Sequence, residues 1–141
     1  MKYLLLLLNF LAVSVFANVS EVSENIEVFK CDRNLKVSLT RILPLEKNKA
    51  LMMISGIEHK LNNIVLKYDI ETNGNYKRFK TQFEGSDIFT LVDSVQGSEH
   101  PSLSLPGIKS KLYLSFDNDL SSNASSAELL KKHQQQKSEG V

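Results

Sequence analysis

From Leu35 onward the chain alternates. In LKVSLTRI, Leu35, Val37 and Leu39 interleave with Lys36, Ser38 and Thr40, the period-two pattern of a strand with one buried and one solvated face. IVLKYDI repeats it, with Ile64, Leu66, Tyr68 and Ile70 on one side and Lys67 and Asp69 on the other. Between the two, ALMMISGIEHKL reads as a pair of short strands, 50–54 and 57–61, joined at Ser55-Gly56, where glycine supplies a positive φ. A buried helix over 51–54 would be cut short by Gly56.

The sharpest local signal is YDIETNGNYKRF. Asn73-Gly74 separates two alternating runs and predicts a tight type I′ hairpin, because such turns need positive φ at both central residues. The outgoing strand, 75–83, sets Phe79, Thr81 and Phe83 on one face and Tyr76, Arg78 and Lys80 on the other. Glu84-Gly85 turns the chain into DIFTLV, and the loop DSVQGSEHPS follows, with Pro101 holding His100 extended. After SLSL and a Pro106-Gly107 turn, IKSKLYLSF places Ile108, Leu112, Leu114 and Phe116 together. About seven or eight short strands with almost no helix predict an all-β fold, a small antiparallel barrel or sandwich, over residues 26–116.

The two ends break the pattern. Residues 1–17, MKYLLLLLNFLAVSVFA, have one lysine, a short apolar core and small residues closing on Ala17, the layout of a secretory signal peptide. Asn9 and Ser14 interrupt the apolar run, which is too short to span a bilayer, so no transmembrane segment is expected after cleavage. Residues 18–25 are polar and predict a flexible lead-in. Residues 117–141 form a polar tail in which Ser125 and Glu128 resemble a capping box, but Leu129 and Leu130 are a narrow apolar stripe. The tail is therefore expected to be a frayed helix or disordered.

Charge excludes one class of partner. The full chain carries 17 basic and 16 acidic side chains, and Lys2 leaves with the leader, so the remainder is neutral. Nucleic-acid binding draws its affinity from phosphate neutralisation, and none is expected here. The three histidines, His59, His100 and His133, show no metal-ligand spacing with one another or with Cys31, and neither a metal nor another cofactor is expected. CDRN lacks the setting that activates a thiol, and no Gly-x-Ser-x-Gly elbow exists. The sequence thus offers no catalytic residues. Cys31, the single cysteine, reads as a small hydrophobe at a strand end or as half of an intermolecular disulfide joining two copies.

Recognition is the remaining class. Exposed tyrosine beside arginine is a combination enriched in interface hot spots, and the hairpin residues Asn73, Gly74, Tyr76, Arg78 and Lys80 are the candidate contacts. From Phe29 to Leu91, roughly half its length, the chain opens with FKC and continues with an alternating strand, a short hairpin, a Gly-x-Tyr loop and a second Gly turn. In this it resembles the periplasmic inhibitors of C-type lysozyme, the MliC and PliC family. It implies a small barrel in which Gly74 and Tyr76 stand in the first inhibitory loop and Glu84-Gly85 in the second. Asn73 replaces the family's serine, Glu84 its lysine, and no partner cysteine follows Cys31. The expected function is an exported, periplasmic or extracellular, non-enzymatic domain that binds a protein or envelope component through its loops. The alternative is a carrier of a small apolar ligand, with Met52, Met53, Phe79 and Phe83 lining a partly open barrel.

Overall fold

The computed structural model describes residues 21–32, 34–97 and 100–140, so the expected leader lies outside it. Among these residues nine strands form one sheet: β1 (Val22–Lys30), β2 (Lys36–Ile42), β3 (Lys49–Ser55), β4 (Val65–Asn73), β5 (Tyr76–Phe83), β6 (Ser86–Ser94), β7 (Ser102–Leu103), β8 (Leu112–Tyr113) and β9 (Ser115–Phe116). All pairings are antiparallel, in the order β8-β7-β6-β5-β4-β3-β2-β1-β9. Strands β8 and β9 flank Leu114 in one run. Its first half pairs with β7 and its second with β1, which brings the two ends of the sheet together and almost closes a barrel. With that run taken once, the barrel has the expected number of strands.

Alternation fills the interior. Val37, Leu39, Ala50, Met52, Ile54, Tyr68, Phe79, Leu91, Leu103 and Leu114 belong to one buried cluster, with Cys31, Leu66 and Phe83 packed against it. A barrel of about eight strands is just wide enough for such side chains to meet across it. Each large one buried contributes about 1.5–3 kcal/mol.

Several segments differ from the sequence expectation. Strand β1 begins at Val22, inside the segment expected to be flexible, because a bulge between Val22 and Ile26 lets it follow β2. Thr40, placed on the wet face by alternation, is buried there, and its hydroxyl donates to the Asn25 and Ser23 carbonyls at 2.9 and 3.1 Å. Residues 57–61 form turns rather than a strand. Side chains hold them: the Ile57 N–H donates to Asn62 Oδ1, and the Leu61 N–H donates to His59 Nδ1. In the β4–β5 hairpin Asn73 pairs with Tyr76, so the central residues are Gly74 and Asn75, one position later than expected. Only Gly74 has positive φ, 62°, the type II′ pattern rather than type I′.

The tail is ordered and helical. Helix α1 (Asn118–Asn123) is capped by Asp117, whose carboxylate accepts from the Leu120 N–H at 2.8 Å and pairs with Lys30 at 2.6 Å. The Leu120 hydrogen bond and then Lys30 hold the Asp117 carboxyl below its usual range. Helix α2 (Ser126–Ser138) starts with the expected Ser125 cap on the Glu128 N–H. Leu129 is buried against Ile42, Leu51 and Val65 on the outer face of the sheet, with Leu130 beside it. The stripe is narrow, but it meets a ready apolar patch. Gln136 adds two hydrogen bonds, accepting from the Val65 N–H and donating to its carbonyl at 2.8 and 2.9 Å. Those groups lie beyond the last β5 partner of β4, so the glutamine amide completes the unpaired edge. Among the described residues no helix is long and apolar enough to cross a membrane.

Candidate binding surface

The hairpin residues expected to form a contact separate by strand parity. Tyr76, Arg78 and Lys80 face outward on β5, whereas Lys77, between them, points the same way as buried Phe79. Lys77 pairs with Asp93 of β6, directly opposite, at 3.6 Å. Asn73 and Gly74 stand at the exposed tip. The basic patch read from the sequence is largely neutralised: Glu71 of β4 accepts from Lys80 at 2.9 Å and lies 3.5 Å from Arg78. The Glu71 hydrogen bond raises the Lys80 pKa above its usual value. Asp69 takes Lys49 at 2.6 Å, and that hydrogen bond lowers its own pKa. What remains outward is mainly aromatic.

Register shows how an aromatic strip assembles. Arg78 lies opposite Val92 of β6, Val92 opposite Ser102 of β7, and Ser102 opposite Tyr113 of β8. These directly paired positions share one face of the sheet. Serine at position 102 leaves a dip between Val92 and Tyr113. Tyr76, one pair along, closes the other side, giving a groove of about 430 Å³ that also meets His100 and Lys111. Tyr76 is 60 % and Tyr113 69 % exposed, the two most exposed aromatic side chains among the described residues. Next to the groove the Arg78 guanidinium lies 4.4 Å from the centre of the Phe89 ring, an arrangement worth about 0.5–1 kcal/mol at an exposed site. A bulge between Phe79 and Lys80 brings Lys80 opposite Phe89 while Phe79 remains opposite Leu91. That extra β6 residue, Thr90, is buried and donates to the Tyr68 hydroxyl at 3.4 Å.

Tyr113, Val92 and Phe89 were not singled out from the sequence. The signal for Tyr113 was present, since it alternates with Leu112 and Leu114 and so falls on the solvent face. Phe89 was hidden by the bulge, which breaks the simple count of alternate residues.

The two turns implied by the lysozyme-inhibitor resemblance lie at opposite ends of β5. The eight residues of that strand separate Gly74-Asn75 from Glu84-Gly85 by roughly 25 Å. Glu84 forms an exposed ion pair with Lys60 at 2.7 Å. Of the four residues expected to line a ligand cavity, Met52 and Phe79 are packed in the main core, Phe83 is partly buried beside it, and Met53 faces the other way beneath α2. Met53 is therefore separated from the other three.

The side chains with reactive chemistry have structural settings. Cys31 is half-buried against the core, carries no disulfide within the chain, and its N–H donates to the Leu35 carbonyl. His59 accepts from Leu61 at Nδ1, which leaves the proton on Nε2 to be donated to the Pro106 carbonyl at 2.7 Å. His100 Nδ1 lies 3.2 Å from the Leu114 carbonyl, at the seam of the barrel. His133 has its pKa lowered, first by burial and then by Lys137 and Lys67. Among the described residues no three His, Cys, Asp or Glu side chains gather as a metal site would require.

No family model, curated protein or solved structure matches the chain.

Proposed function

We propose that the protein is an exported, non-enzymatic binding domain that holds a protein or envelope partner on the outer face of β5–β8. The observation carrying this reading is the strip in which two strongly exposed tyrosines flank Val92 beside the Arg78–Phe89 pair. Tyrosine and arginine supply large contact area with polar tips, which is why they recur where binding energy concentrates. The middle of the barrel is filled by its own side chains, which leaves the outer face as the extended recognition surface. Of the expected contacts, Tyr76 and Arg78 belong to this strip. Asn73, Gly74 and Lys80 form its border.

Replacing Tyr76 and Tyr113 together by alanine removes both walls of the groove while leaving the core intact. The variant should keep the wild-type circular dichroism and melting temperature, yet lose at least about tenfold in capture of the partner from an envelope extract of its own host. Equal capture by the folded variant rejects the surface. C-type lysozyme turnover in the presence of the purified protein tests the partner implied by the sequence resemblance, and inhibition abolished by Tyr76→Ala would identify it.

A further inference from the structure

The end of the barrel bounded by the β4–β5 hairpin is lined inside by charged as well as apolar side chains. Strand parity places Glu27 on the side of Phe29, Arg41 on the side of Leu39, and Lys77 and Asp93 on the side of Phe79 and Leu91. A pocket of about 270 Å³ opens there, with Leu39 and Phe79 among its walls and Leu45 beside Arg41. Two cations and the Glu27 carboxylate line it, and neither cation is fully matched. Lys77 meets Asp93 at the long distance of 3.6 Å. Among the described residues Arg41 has no carboxylate partner; its Nη2 donates to the Leu45 carbonyl at 3.0 Å and lies 3.4 Å from Asn48 Oδ1, and its Nε is buried without a partner. Arg78 Nε is also buried and unpartnered, but that guanidinium is matched by Glu71. Among the described residues, Arg41 is the one with both an orphaned donor and no counter-charge.

An unpartnered buried donor on a charged group is costly, and it is relieved by an acceptor that brings negative charge. We infer that this mouth binds a small organic anion, a monocarboxylate with a compact apolar body, its carboxylate between Arg41 and Lys77 and its apolar part on Leu39 and Phe79. The pocket, about 270 Å³, has room for a small aromatic carboxylate such as benzoate. The exposed Glu27 carboxylate, which also lines the pocket, disfavours a second negative charge and so selects a monoanion. This site is separate from the outer strip and does not depend on it.

The test uses the purified protein and benzoate, with benzamide as a neutral probe of the same shape. Benzoate should shift the backbone amide resonances of Leu39, Arg41, Lys77 and Phe79, and benzamide should bind at least about tenfold more weakly, a difference of 1.4 kcal/mol. Arg41→Gln should abolish the preference for benzoate, and Glu27→Gln should leave or strengthen benzoate binding. Because Arg41→Gln could unfold the chain, the two-probe comparison on the wild-type protein decides by itself. Equal binding of both probes, shifts confined to other residues, or no shift at millimolar benzoate would each overturn the inference.

Discussion

Gly56 carries more constraint than its neighbours suggest. Its φ is 77°, and a Cβ built there would sit 2.1 Å from the Asn34 carbonyl oxygen, so the β1–β2 loop passes directly over it. Gly74 has a similar φ, 62°, but open space around it. Alanine at position 74 should therefore cost only the left-handed backbone penalty, about 1–2 kcal/mol, whereas alanine at 56 must also displace backbone and should cost more. Urea midpoints of the two variants measure the difference, and equal losses would mean that the loop gives way freely. Tyr68 is the second informative residue. Burial pushes its hydroxyl up to about 12, with the hydrogen bond from Thr90 partly opposing the shift. The folded state therefore holds the phenolic proton after the unfolded chain has released it near pH 10. Stability contributed by the neutral form is complete below pH 10 and falls as pH rises toward 12, by roughly 3 kcal/mol. Tyr68→Phe should lose that alkaline slope, leaving only the decline due to other groups. A matching slope in the variant would show that Tyr68 does not titrate with unfolding.

At the scale of elements, the strands were legible where one face is buried and the other solvated, as in Leu35, Val37 and Leu39 or Leu66, Tyr68 and Ile70. The reading failed where the second face is also covered. Thr40, Ile42, Leu51 and Val65 lie on that second face, beneath the bulged start of β1 or beneath α2, and ALMMIS accordingly runs apolar without alternation. Nothing in the helix itself announces the docking, because two leucines and a glutamine are enough when the sheet supplies the rest. The outer groove was half legible for a related reason. Tyr76 and Arg78 follow from parity along β5, but their companions Val92 and Tyr113 arrive through cross-strand register, which no single stretch of sequence contains. The helix makes a prediction of its own. Leu129→Ala should cost on the order of 2–5 kcal/mol, like other truncations of buried leucine. Gln136→Ala, which orphans the Val65 amide and carbonyl, should cost about 1–3 kcal/mol. Thermal denaturation of both variants checks this. Unchanged stability in both would detach α2 from the fold and restore the expectation of a loose tail.

For the whole molecule, the distribution of pairing along the sheet decides how it opens. From β1 to β6 the ladders are long, five or more paired residues each, and enclose most of the core. The remainder of the ring, β7 to β9, is joined by ladders of two pairs apiece, supplemented by single bonds such as Leu114 N–H to the Pro101 carbonyl and Asp117 N–H to the Val28 carbonyl. Fewer hydrogen bonds must break there, but opening also exposes Leu103 and Leu114, which are fully buried. Burial of two leucines is worth about 3–6 kcal/mol, so the seam should open well above the level of fraying yet below global unfolding. Native-state hydrogen exchange should accordingly place the amides of Leu103 and Leu114 in one intermediate group, exchanging together and before Val37, Met52 and Leu66. Exchange of both groups with the same free energy would instead mean that the barrel unfolds as a single unit, with the short ladders as strong as the long ones. Tyr113 lies on this seam and Tyr76 on the neighbouring long ladder, so a partner bridging the two tyrosines would have to hold the seam shut. It should therefore slow exchange at Leu114 more than at Met52, a difference that a partner resting on β5 and β6 alone would not produce.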